Sequence, residues 1–294
     1  MIDRYLQEYS DYLLIQRGYS PNTVKAYLFD LTHFFSHLAL SDTPTVTTVT
    51  KQAIRGYLAS LSIIHNGQPA NMIVTRARKL ASIKSFCGYL SKEGIIPLDP
   101  ASEIDVPHIP EREPCYLTKL EYQRLLRTVQ KHAQPSNLAR DYAIISLLLS
   151  SGIRVSELTS LTLPNLDLIN HTIKIRRKGN REQTLPISTR TTIAISNYLP
   201  KRRGQNHILF TTRTGSLFGS SSVYYLVKKY LVKAKIVKDK FGPHLLRHTC
   251  LTALIANNVN PAVVQSIAGH RSFDTTRKYV HINDQQLRRA VEKI

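Results

Sequence analysis

The last third of the chain carries H-L-L-R-H (His244 to His248), then A-G-H (Ala268 to His270), then T-T-R-K-Y (Thr275 to Tyr279). Far upstream stands S-G-I-R-V-S-E-L (Ser151 to Leu158). Together these segments bring two arginines, two or three histidines and a tyrosine into one candidate site. A pair of guanidinium forks holds the non-bridging oxygens of one phosphate, because each presents paired N–H donors in the geometry an oxyanion accepts. A tyrosine hydroxyl beside them can attack the phosphorus and carry the phosphoryl group covalently. Such a set is suited to breaking and resealing a nucleic-acid backbone without metal or ATP.

Each residue also has a plainer use. Arg154 opens the short helix R-V-S-E-L just after Gly152, where a cation opposes the helix dipole and is expected to face an anion. That anion is either a phosphate or simply Glu157. His244, Arg247 and His248 fall at i, i+3 and i+4 and share one helical face, with Leu245 and Leu246 turned to the core. His248 is the weakest member and fits a supporting place. The same two histidines have the spacing of zinc ligands, with His270 or His281 as a third. Leu245 stands where an H-E-x-x-H site needs its glutamate, and Arg247 would repel a dication. His270 lies just past Gly269, a helix stop, and Asp274 can cap a further helix that carries Tyr279. Spacing alone does not separate Tyr279 from the other tyrosines, fifteen in all.

Helices must position these groups. Tyr5, Leu6, Tyr9 and Leu13 recur at helical spacing. Ser20 caps a second helix with Pro21 at its first position and Val24, Leu28, Leu31, Phe35 and Leu38 on one stripe. Thr50 caps a third through Leu61, and a fourth carries Ile73, Ala77, Leu80, Ile83, Cys87 and Leu90. Four short helices make a small bundle, assigned to residues 1–96. Prolines 97, 100, 107, 110 and 114 then deny regular hydrogen bonding and mark residues 97–114 as a stiff linker. Residues 115–294 form a second domain. Thr118 caps a helix to about Lys131, and a buried helix runs from Arg140 to Ser150. A hairpin follows over 172–177 and 182–187, turning at Lys178 to Arg181. Helices resume at about 220–235, 243–257 and 261–268. The fold class is mainly α with a small β-sheet.

Lysine and arginine number 40 against 20 aspartates and glutamates, a formal charge of +20. That excess predicts a polyanionic partner, nucleic acid ahead of a membrane surface, because the charge is spread along the chain. On the fourth helix Arg76, Arg78, Lys79 and Lys84 have no acidic neighbour until Glu93, which favours DNA-backbone contact over a solvated face. Met1 to Glu8 does not read as a signal peptide, and the longest apolar run, Tyr142 to Leu149, is too short for a membrane span. Three isolated cysteines argue against a disulfide framework and for a reducing cytoplasm.

On these motifs, and on S-P-N-T-V-K-A-Y (Ser20 to Tyr27) near the start, the chain resembles the tyrosine recombinases of the phage-integrase superfamily, most closely the Xer type. The resemblance covers essentially the whole length. It implies a four-helix, SAM-like core-binding domain that clamps the far side of the duplex, followed by a mixed α/β catalytic domain. It assigns catalysis to Arg154, Lys178, His244, Arg247, His270 and Tyr279, with no cofactor and no metal. Tyr279 would form a 3′-phosphotyrosyl link and free a 5′-hydroxyl, which Lys178 protonates. The family's usual G-K-G turn reads Arg177-Lys178-Gly179 here, and Arg177 or Arg181 could share the groove-contacting role of Lys178. Implied partners are double-stranded DNA with two half-sites and further copies of the chain in a tetramer that works through a Holliday junction. The apolar face of Leu287, Ala290, Val291 and Ile294 would dock in trans. A second recombinase or an activator is compatible with this pattern. The rival functions are a type IB topoisomerase-like strand transferase and a catalytically silent DNA-binding relative.

Overall fold

The computed structural model describes residues 2–40, 45–62, 64–65, 68–69, 72–109, 115–177, 181–239 and 241–269. The chain divides into two compact units, Met1–Glu111 and Arg112–Ile294. In the first, α1 (Ile2–Asp11) runs on into a wider turn at Tyr12–Gln16, and α2 (Pro21–Leu38), α3 (Lys51–Ser60) and α4 (Ile73–Lys92) follow. The caps act as the residue types suggest: Ser20 Oγ accepts from the Thr23 N–H at 3.2 Å and Thr50 Oγ1 from that of Ala53 at 3.1 Å. Two short strands, β1 (Ile64–His65) and β2 (Gln68–Pro69), pair antiparallel between α3 and α4. The core gathers Tyr9, Leu31, Phe34, Ile54, Tyr57, Leu80, Ile83 and Phe86.

Two expectations change in this unit. Lys79 is buried, its ammonium 3.7 Å from Asp30 Oδ1 and 3.2 Å from the Tyr57 hydroxyl, so it serves the interior rather than a DNA backbone. Arg78 pairs with the other oxygen of Asp30, and Arg76 donates to Ser62, while Lys84 donates to the Ser102 carbonyl at 3.2 Å. The missing counter-charge on α4 comes from α2, out of reach of local sequence. Likewise the proline-rich stretch is not linker from residue 97, because Ala101 and Ile104 are buried in this unit's core.

Burial holds the Lys79 ammonium below its ordinary pKa, with Asp30 opposing that shift and Arg78 adding to it. Removing the carboxylate therefore strands a buried cation. Asp30→Ala should destabilise the first unit by about 3 kcal/mol, and adding Lys79→Met should recover part of that loss. Hydrogen exchange of the α2 and α4 amides in the full chain measures both; equal stability of the two variants would contradict the buried-pair account.

The second unit is built around α6 (Pro135–Ser151), whose residues Ala143 to Leu149 are buried without a break. A helix apolar all round must be enclosed, and α5 (Lys119–His132), α8 (Thr189–Tyr198), α9 (Ser220–Lys233) and α10 (Pro243–Ala256) pack on it. Helix α6 begins at Pro135 rather than Arg140; its first turn, with Pro135 and Ser136 exposed and Asn137 and Leu138 half-buried, carries no continuous apolar pattern. Helix α8 was not foreseen: its β-branched sequence has weak helix propensity, yet Ser188 caps it and Ala194, Ile195 and Tyr198 are buried. The short α7 (Val155–Thr159) leads to a three-stranded antiparallel sheet of β3 (Leu166–Asp167), β4 (Thr172–Arg177) and β5 (Arg181–Pro186) in that order. Arg177 pairs with Arg181, so Arg181 belongs to the strand and not the turn. Last comes α11 (Pro261–Ala268), seated on α10 through Leu251, Val264 and Ala268. Lys178, His270, Asp274, Tyr279, His281 and the tail over 285–294 lie outside the described residues.

Candidate active site

Helix α6 stops at Gly152, which sits in the left-handed region at φ 61°. A Cβ there would be strained by the left-handed conformation and would lie tightly, 3.3 Å from Cys250 Sγ and 3.4 Å from Leu251. The turn delivers Arg154 to the N-cap of α7. The buried carboxylate of Glu157 accepts from the Arg154 backbone N–H at 2.7 Å and from its Nη1 at 3.0 Å. This realises the plainer partner of Arg154, and its other terminal nitrogen, Nη2, reaches the Gly269 carbonyl at 3.3 Å.

Arg247 arrives from α10 and is buried along with Leu245 and Leu246. Its Nη1 donates to the Gly152 carbonyl at 2.5 Å and its Nη2 to that of Ala268 at 2.7 Å. His244 is exposed on the first turn of α10 and His248 is half-buried. Cys250 is no rival nucleophile, since burial pushes its thiol up to about 12 against the opposing pull of Arg247.

Arg177 departs from the expected DNA-backbone contact. Its side chain is only 9% exposed. It donates through Nε to Gln183 at 2.6 Å, through Nη1 to the Ala268 carbonyl at 3.0 Å, and through Nη2 to that of Ile267 at 2.6 Å. Glu157 lies 3.4 Å from Nη1. Burial holds this guanidinium below its ordinary pKa; Glu157 opposes that and Arg154 reinforces it. Arg181, by contrast, is exposed on β5.

Three guanidiniums, from α7, β4 and α10, thus converge on the last carbonyls of α11. These are the acceptors a helix leaves without internal partners, at the negative end of its dipole. A cleft beside them is lined by four arginines, 154, 176, 177 and 181, and by two glutamates, 157 and 182. Its floor is therefore cationic and rich in paired N–H donors, as an anion such as a phosphodiester requires. Sequence reasoning gave Glu157 only as a partner of Arg154, not as one shared with Arg177, and missed Gln183. The spacing of Arg154 and Glu157 is that of the second half of a capping box, the N3 carboxylate accepting from the N-cap backbone N–H. Among the described residues no group of three or more His, Cys, Asp and Glu could hold a metal ion, and no helix is long and apolar enough to cross a membrane. His270 and His281, needed for the zinc alternative, lie outside those residues.

The family model described as "Phage integrase family" matches residues 115–286, and that described as "Phage integrase, N-terminal SAM-like domain" matches residues 6–94. A protein named tyrosine recombinase XerC from Caldanaerobacter subterraneus subsp. tengcongensis is 33% identical, over 98% of this chain and 86% of its own. Its namesake in Listeria monocytogenes is 32% identical, over 98% of this chain and 96% of its own. Among solved structures, the XerH site-specific recombinase bound to its difH substrate, in a pre-cleavage complex, superimposes with a TM-score of 0.73. It is 21% identical, and the match covers 91% of this chain and 78% of that one.

Proposed function

This chain belongs to the phage integrase family and is a tyrosine recombinase, and from that premise we propose that it breaks and rejoins double-stranded DNA at a specific site through a covalent link on Tyr279. The observation that carries this reading is the convergence of Arg154 and Arg247 on the adjacent carbonyls of Gly269 and Ala268. Elements far apart in sequence aim two forks at one locus, immediately before His270. Phosphate oxygens are stronger acceptors than those carbonyls, and a scissile phosphate brought there would meet donors already in place.

A free phenol has a pKa near ~10 and is a poor nucleophile at neutral pH. Arg154 and Arg247 stabilise the charge that develops on the phosphorus oxygens, each worth on the order of 3 kcal/mol. His270 hydrogen-bonds the same oxygens, His244 helps deprotonate or orient the phenol, and Lys178 protonates the departing 5′ oxygen. Tyr279 is left as a 3′-phosphotyrosyl ester, whose bond energy lets a second strand's 5′-hydroxyl reseal the backbone. The first unit grips the duplex with surface cations such as Arg78 and Lys84, and the second performs the chemistry. Four copies act on two sites of two half-sites each, pass through a Holliday junction, and exchange the tail over 285–294 between neighbours.

Two experiments test this. DNA recovered from the host with the protein, sequenced and rebuilt as a nicked suicide duplex, should yield an adduct that survives denaturation. Holliday junctions on two intact duplexes then separate a recombinase from a topoisomerase-like enzyme. Adduct formation should also persist in excess chelator at an unchanged rate, because guanidinium and ammonium groups do the work a divalent ion would do. Loss of cleavage on chelation, restored by magnesium or zinc, would return the histidines to a metal-binding role.

A further inference from the structure

We propose that Arg177 is a positioning residue for this reaction, a latch that ties the last turn of α11 to the base of the β4–β5 hairpin. The inference rests on the function proposed above, because it concerns the two chain segments that lead into Lys178 and His270. Arg177 is the last residue of β4, directly before Lys178. The same side chain grips the carbonyls of Ser266, Ile267 and Ala268, which end directly before Gly269 and His270. It also shares Glu157 with Arg154. One guanidinium therefore links the neighbours of three residues assigned to catalysis.

The strand places it there. Ile173 and Ile175 are buried on β4 while Lys174 and Arg176 point outward, so the period of two turns Arg177 inward. A guanidinium on that face has to find acceptors. It finds them in Gln183, Glu157 and the helix-end carbonyls of Ile267 and Ala268, and it shares the Ser266 carbonyl with the Gly269 N–H. Gln183 adds a second tie, donating to the Ser266 carbonyl at 3.2 Å. Gly269 completes the fit: a Cβ on it would overlap the Arg177 guanidinium. With its donors spent inward, Arg177 acts on DNA only through what it holds. A lysine cannot replace it, since one ammonium does not span acceptors on both a strand and a helix end.

The test compares Arg177→Ala and Arg177→Lys with the wild-type full chain. In free protein, amides over 262–269 should exchange at least about ten-fold faster in both variants, with α5, α6 and α8 unchanged. On the nicked duplex described above, single-turnover adduct formation at saturating DNA should fall about 10- to 100-fold, the scale of a misplacement near 1 Å. Affinity and its salt dependence should hold, and lysine should rescue little. Weaker binding with a shallower salt slope, restored by lysine, would instead make Arg177 a DNA contact and overturn the latch. Unchanged exchange over 262–269 would overturn it as well, whether or not the wild type forms an adduct. Absence of any wild-type adduct would sink the functional reading alone, leaving exchange to judge the latch. Should Arg177→Ala not fold, Gln183→Ala should show the same pattern in smaller measure, and its failure to do so would count against the proposal.

Discussion

Tyr279→Phe should abolish covalent attachment to a nicked duplex while leaving DNA affinity within about two-fold. One hydroxyl matters little to binding when many phosphates are held by arginine and lysine, because that attraction is set by the number of phosphate contacts. In the proposed mechanism it matters entirely to chemistry, since the Tyr279 hydroxyl supplies the oxygen of the ester. Several other tyrosines are disqualified by their surroundings: Tyr9, Tyr57 and Tyr230 are buried, and burial raises all three phenols, that of Tyr57 to about 12. Tyr116, Tyr224 and Tyr225 are exposed by 42%, 40% and 67% and are rivals worth testing. A Tyr279→Phe protein that still forms an adduct would shift the nucleophile to one of them, and Tyr225→Phe would then show the loss. The measurement is denaturing electrophoresis of the adduct beside equilibrium binding to the same duplex at two salt concentrations.

What was legible in the sequence was mostly local. Ser20, Thr50 and Thr118 cap the helices they were expected to cap, and Gly152 and Gly269 end theirs in the left-handed conformation. Each of these signals acts within four residues and needs no partner from elsewhere. The turning of Leu245 and Leu246 into the core follows from the same short-range logic. The misreadings arose where a distant element decided the outcome. Lys79 looked like a surface cation because Asp30, its counter-charge, lies on another helix. The prolines before residue 105 looked like linker because Ala101 and Ile104 bury against helices far earlier in the chain. Arg177 could have been read correctly, since strict alternation from Ile173 and Ile175 already placed it on the inner face. Its charge outweighed its register, when the register should have prompted a search for acceptors. Helix α8 shows tertiary packing overriding propensity, as its neighbour α6 needs an apolar surface there.

Arg154→Ala and Arg247→Ala should share one kinetic defect and differ in stability. In the proposed mechanism each removes a fork that holds the phosphate, and each should slow single-turnover cleavage by about 10²- to 10³-fold at saturating DNA. The double variant should be far from additive, because both guanidiniums hold one phosphate and losing either misplaces it for the other. Their folded environments are not alike. The Arg154 side chain is 36% exposed, and Glu157 keeps Arg177 and the residue-154 backbone N–H as partners when that side chain goes. Arg247 is buried and donates to the carbonyls of Gly152 and Ala268, which bind the end of α6 and the end of α11 to α10. Truncating it strands the Gly152 carbonyl in the interior, at a cost of about 1–3 kcal/mol, while the Ala268 carbonyl keeps Arg177 as a donor. Arg154→Ala should therefore melt close to the wild type, and Arg247→Ala several degrees lower with faster exchange at the end of α11. Thermal melts and single-turnover rates on the same preparations decide the matter. A cleavage rate within about three-fold of wild type in either variant would remove that arginine from the catalytic set, and equal melting temperatures would show that Arg247 contributes no cross-link between the two helix ends.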